Sequence, residues 1–120
     1  MENFEKINVN DVFVIDVNIT RSTLNEAIEF RKIVEEEINS GHTNLVIDLS
    51  KCVHIESTFF GAIIMAREMI NDIGDKLRVV KPVNPKDDIF MLTNTIGLFD
   101  LYKTREEAIK SFEEDIQPES

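Results

Sequence analysis

Two hydroxyl side chains stand side by side at Ser57 and Thr58, inside the stretch CVHIESTFFGAIIM that runs from Cys52 to Met65. A hydroxyl can serve as a nucleophile beside a base, cap a helix, or accept a phosphoryl group. The first use finds little support. There is no GxSxG elbow, the strand-to-helix turn reading IESTFFG instead. Of the two histidines, His42 follows a helix-stop glycine and reads as a solvated turn residue, while His54 leads toward Ser57. Residues three apart in an extended segment point to opposite sides, so His54 is poorly placed to act as a base on Ser57. The glycines stand singly at 41, 61, 74 and 97, which leaves neither GxxxxGKS/T nor GxGxxG to cradle a phosphate. Asp16, Asp48 and Glu56 match no metal-binding loop and read as solvated charges at strand ends. Cys52, the one thiol, has no partner for a bridge and reads as a small buried hydrophobe. The chain therefore reads as a non-enzyme with no metal and no cofactor.

The elements that hold these hydroxyls alternate. FEKINVN and VFVIDVN read as two strands joined by a tight turn at Asn10-Asp11. After Asn18 to Ser22, Thr23 and Glu26 form a T-x-x-E capping box that opens a helix. Leu24, Ala27, Ile28, Val34 and Ile38 form its apolar stripe, and Ser40-Gly41 stops it. NLVIDLS is a nearly continuous apolar run, as a central strand requires. A second helix is expected over about 58–73, a buried strand in LRVVKPV, a third helix over 86–97, a short strand at Leu101 to Lys103, and a terminal helix in REEAIKSF. Such alternation predicts an α/β fold: a single domain with a mixed β-sheet of four to five strands and helices packed on it. Residues 1–112 form that domain, and 113–120 an acidic tail expected to be flexible.

At about 100° per residue, Phe59, Ala62, Ile63, Ala66, Met69, Ile70 and Ile73 gather on one side of the second helix and read as core. Ser57, Phe60, Gly61 and Ile64 project toward the other side. Phe60 and Ile64 are then either an exposed apolar pair beside the hydroxyls, fit to anchor a partner, or covered by the terminal helix or a loop. Ser or Thr at a helix start is the ordinary N-cap, and one hydroxyl suffices for that. A second, near unpaired N–H groups and the positive end of the dipole, sits where a phosphate is tolerated and would alter the adjacent surface.

Composition narrows the partners. With 23 Asp and Glu against 13 Lys and Arg, the formal charge is −10, so nucleic acid and anionic membranes are disfavoured. The polar N-terminus has no apolar leader and no window is long enough to span a bilayer, which predicts a cytoplasmic protein.

The segment Asp48 to Ile64, DLSKCVHIESTFFGAII, resembles the signature of the STAS domain family, whose bacterial anti-sigma factor antagonists carry a pattern like DLSxxxxIDSSGLGxLL. The order of elements, the strand LRVVKP and the closing TREEAIKSF extend the resemblance over almost the whole chain. It implies an anti-sigma factor antagonist in a partner-switching pathway. The unphosphorylated form would bind an anti-sigma factor that is also a serine/threonine kinase, phosphorylation would break the complex, and a PP2C-type phosphatase would reset it. By the same resemblance Thr58 is the phosphoacceptor, with Ser57 the alternative. Ser57, Phe59, Phe60, Gly61 and Ile64, with Thr20, Arg21 and Ser22 in the preceding loop, would meet the partner. Three residues depart from the pattern: Glu56 for aspartate, Thr58 for serine, and Phe59 for glycine. The competing reading is a constitutive STAS subunit of a transport ATPase or signalling complex, in which Thr58 only caps its helix.

Overall fold

The computed structural model describes residues 3–19, 21–22, 24–83 and 99–114. The helix expected over 86–97 lies outside the described residues, as do Thr20, Thr23 and the end of the acidic tail from 115 onward. Five strands form the main sheet in the order β1-β2-β4-β6-β7: β1 (Phe4–Val9), β2 (Val12–Val17), β4 (Leu45–Asp48), β6 (Arg78–Val80) and β7 (Asp100–Tyr102). β1 pairs antiparallel with β2, and the other neighbours are parallel. The sheet is thus mixed, as expected. Asn10 and Asp11 turn the first hairpin with φ of 50° and 66°. Two consecutive left-handed residues between Val9 and its partner Val12 are the pattern of a type I′ turn, which matches the strand twist.

Alternation along the strands divides the core in two. Ile15, Val17, Leu45 and Ile47 face α1 (Leu24–Asn39) and α2 (Ser57–Asp72), while Val12, Val14, Val46 and Tyr102 face α3 (Arg105–Glu114). Thr104 Oγ1 accepts a hydrogen bond from the Glu107 backbone N–H at 3.2 Å and so caps α3. Arg78 pins that helix to the sheet: its Nε donates to Ser111 Oγ at 2.7 Å and its guanidinium lies 3.6 Å from the Phe112 ring centroid.

Four features differ from the expectations. The segment before α1 is not simply a loop, because β3 (Arg21–Ser22) pairs in parallel with β5 (His54–Ile55) as a second, two-stranded sheet. In α1 the buried stripe is Ala27, Phe30, Val34 and Glu37, whereas Leu24 and Ile28 are 56% and 51% exposed. His42 is more than a solvated turn residue: its ring stacks on Phe13 at 4.2 Å, and Nδ1 shares a 2.7 Å hydrogen bond with buried Glu37, whose other oxygen meets Lys6 at 3.2 Å. Asp16 and Asp48 are not solvated, being 4% and 3% exposed at the ends of β2 and β4. No described helix is long and apolar enough to cross a membrane.

Candidate functional site

Helix α2 begins at the hydroxyl pair, but neither hydroxyl caps it. The N-cap is Glu56, in extended conformation at φ −73° and ψ 157°, and its side chain makes no capping hydrogen bond. Its carbonyl accepts the first helical bond, from the Phe60 N–H at 3.0 Å. Ser57 and Thr58 therefore occupy the first two helical positions, and both are exposed. Glu56 stands where the N-cap hydroxyl was expected, so capping does not account for either residue.

Beneath the hydroxyls the helix is anchored by aromatic packing. Phe59 is fully buried, its ring 5.1 Å from Phe30 and 6.3 Å from Phe4. That agrees with its inward projection, and it removes Phe59 from any surface that a partner could touch. Phe60 is also buried, at 6%, with its ring edge-on to Phe99 at 6.0 Å, and Ile64 is half-buried against the same core. Of the two readings of the Phe60–Ile64 pair, cover by another segment holds, and the pair is not an exposed anchor. Phe60 lies at the flank of the helix, about 100° from Phe59, and the chain entering β7 brings Phe99 over that flank.

The apolar surface beside Thr58 is on the opposite flank. Leu24, Ile28 and Arg31 of α1 and Thr58, Gly61 and Met65 of α2 line a cleft of about 240 Å³, with Ala27 and Ala62 also lining it. Gly61 is exposed, and a Cβ placed there would meet nothing within 4 Å. Glycine costs a helix interior about 1 kcal/mol relative to alanine, and no contact among the described residues requires it. The Leu24–Ile28 exposure could have been suspected from the sequence, since the two residues lie four apart on a rim separate from the Ala27–Phe30–Val34 stripe.

A buried ionic cluster lies at the ends of β2 and β4, just before the turns that lead toward β3 and β5. Asp16 and Asp48 are register neighbours in the parallel pair, so their like charges stand side by side. Arg105 joins them, with Nε 2.8 Å from Asp48 Oδ2 and Nη2 3.0 Å from Asp16 Oδ1. The second contact is an ion pair without a well-formed hydrogen bond, since Asp16 Oδ1 has no hydrogen-bond partner. Burial would pull the Arg105 guanidinium down, but the hydrogen bond to Asp48 and the charges of Asp48 and Asp16 hold it above its ordinary value. Lys51 Nζ reaches Asp16 Oδ2 at 3.0 Å and Asn18 Oδ1 at 2.7 Å, tying the start of the β2–β3 loop to the turn after β4. Cys52 lies nearby, and burial together with the negative Asp48 and Asp16 pushes its thiol from 9.0 up to about 12. Among the described residues, no group of His, Cys, Asp and Glu could hold a metal ion.

No protein-family model matches the chain, and no curated protein matches it in sequence. Solved structures do. A Thermotoga maritima protein, TM1081, assigned as an anti-sigma factor antagonist, superposes with a TM-score of 0.76 at 25% identity, over 90% of this chain and 92% of that one. An anti-sigma factor antagonist from Mycobacterium paratuberculosis gives 0.78 at 19% identity, over 90% and 91%. The antagonist SpoIIAA in its unphosphorylated form gives 0.71 at 16% identity, over 92% and 98%. This chain has the STAS fold of the anti-sigma factor antagonists. In this fold the parallel pairing of Arg21–Ser22 with His54–Ile55 brings the loop that follows β2 beside the segment leading into α2. Ser57, Thr58 and Gly61 are on the surface of the fold, Phe59 and Phe60 are inside it, and Ile64 is between.

Proposed function

We propose that this protein is an anti-sigma factor antagonist whose partner binding is switched by phosphorylation of Thr58. It is non-enzymatic and acts by occupying an anti-sigma factor that is also a serine/threonine kinase. The observation that carries this reading is the position of Thr58: exposed at the second residue of α2, not used as a cap, and lining a cleft whose rim is the exposed pair Leu24 and Ile28. That pair takes the anchoring role that the buried Phe60 cannot. Leu24 and Ile28 are already about half covered, so a partner that buries the remainder gains from each about half of the roughly 1.5–3 kcal/mol of a full burial, and Gly61 leaves room for close approach.

In the switching step the γ-phosphoryl of ATP held by the kinase passes to Thr58 Oγ1. The O–P bond to ADP breaks, and the hydroxyl proton leaves to a base on the kinase. The product carries close to two negative charges beside the apolar rim, and a partner covering that rim would have to desolvate them. A PP2C-type phosphatase would restore the hydroxyl. The competing reading, a constitutive subunit with Thr58 as a helix cap, is weakened because Glu56 occupies the N-cap position.

Trypsin should release the stretch from Cys52 to Arg67 as one peptide, so fragmentation of that peptide from protein isolated from its own cells tests the reading directly. Phosphate is expected on Thr58. Binding of the anti-sigma factor should survive Thr58→Ala and fall at least about tenfold, or about 1.4 kcal/mol, with phosphothreonine at 58. Phosphate on Ser57 alone, or equal binding by both forms, overturns the proposal.

A further inference from the structure

Among the described residues lining the α1–α2 cleft, Arg31 alone carries a charge. The acidic residues of the chain outnumber the basic ones by 23 to 13, so carboxylates are abundant. Arg78 is held by one of them and Arg105 by two. Arg31 is exposed and, among the described residues, makes no hydrogen bond or ion pair, although Glu35 lies one turn further along the same helix. A guanidinium on the wall of an apolar cleft, sharing that cleft with the candidate acceptor hydroxyl, has no polar partner among the described residues of the unmodified protein.

The geometry points to Arg31 as the residue that holds a phosphoryl group on Thr58, in the same chain, across the α1–α2 cleft. This deepens the proposed switch and rests on Thr58 being its acceptor. Helices α1 and α2 each return from the same end of parallel strands on one face of the sheet, so they run parallel and their first turns lie at one end of the cleft. Arg31 is about two turns from Leu24, the first residue of α1. Helical side chains lean toward the N-terminus, which carries the guanidinium back toward the Thr58 end. The cleft, at about 240 Å³, greatly exceeds the roughly 10–15 Å³ that a single water requires, so a phosphoryl group fits without displacing either helix. Guanidinium and phosphate match as a two-pronged, charge-assisted pair, and apolar walls on both sides strengthen it.

The consequence is a particular kind of switch. A phosphate drawn to Arg31 closes the cleft from within and covers the floor between Leu24, Ile28 and Gly61. Release of the partner then comes from loss of the docking surface in the same chain, in addition to repulsion.

The test uses the full chain with phosphothreonine incorporated at position 58 during translation, so that no kinase is involved. Its phosphorus resonance is followed against pH in the parent, in Arg31→Ala and in Lys32→Ala. Lys32 is an exposed cation on α1 that does not line the cleft, so its removal changes net charge equally without touching the site. The second ionisation of phosphothreonine, ordinarily near about 6, is expected about one unit lower in the parent than in Arg31→Ala. Lys32→Ala should titrate with the parent. Equal titration of all three proteins, or equal shifts in both variants, overturns the clamp. Because the phosphate is incorporated rather than transferred, this outcome is independent of whether Thr58 is modified in the cell, which the peptide fragmentation decides.

Discussion

Truncating Phe60 leaves a hole between α2 and Phe99, since the two rings meet edge to face at 6.0 Å and Phe60 is only 6% exposed. Phe60→Ala should cost about 3 kcal/mol, a fall on the order of 10 °C in Tm for a domain of this size. A thermal melt within about 2 °C of the parent, corresponding to less than about 1 kcal/mol, would mean that Phe99 does not cover the ring. Helical projection places Phe59 correctly because that residue lies at the centre of the face packed on the sheet. It fails for Phe60 because a flank position is decided by whatever covers it, and Phe99 is far away in sequence. Cys52 gives a second expectation at this scale. Its folded thiol is raised to about 12 from 9.0, so the folded state keeps a proton that the unfolded chain loses first. The thiol's contribution is intact below pH 9 and is lost as pH rises toward 12, at about 1.4 kcal/mol per pH unit. Cys52→Ala should remove that alkaline slope from a denaturant series, and an unchanged slope would mean that other groups cause it.

The elements follow two kinds of information. The hairpin is local: Asn10 and Asp11 tolerate left-handed backbone, and the flanking residues alternate, so turn and register could both be read from ten or so residues. Strand β4 was equally legible, because Leu45, Val46, Ile47 and Asp48 are all buried and a continuous short apolar run has few other uses. Helix α1 was legible in extent but not in orientation. Leu24 and Ile28 continue the apolar periodicity onto a second rim, and the sequence cannot say which of two adjacent stripes the sheet will cover. The pairing of β3 with β5 was not legible at all, since two-residue strands carry no periodicity and are fixed by the tertiary approach of the loop to the segment before α2. The candidate site shows the same division. The adjacent hydroxyls and the start of their helix are readable from one stretch, whereas the cleft belongs to two helices and emerges only when they pack.

At the scale of the whole molecule, the ionic cluster joins layers that the hydrophobic cores leave separate. The α1–α2 core and the α3 core lie on opposite faces of the sheet, and Asp16 and Asp48 mark the end of that sheet near the turns leading to β3 and β5. In the sequence, acidic residues at strand ends read as solvated charges. The missing fact was that Arg105, fifty-seven positions from Asp48, closes over both. Two adjacent buried carboxylates without a shared cation would be strongly unfavourable, so Arg105 is what permits them. Lys51 carries the connection onward to Asn18, at the entry to the loop beside the Thr58 segment. Arg105→Ala should therefore destabilise by about 3 kcal/mol, moderated by the Lys51 contact and by the Ser50 N–H bond to Asp48. Arg105→Lys should recover only part, because one ammonium cannot reach both carboxylates with the geometry of a guanidinium. The check is chemical denaturation of both variants, with the parent as reference. A loss below about 1 kcal/mol for Arg105→Ala would identify the cluster as an ordinary surface pair, and α3 would then be held by Arg78 and the apolar core alone.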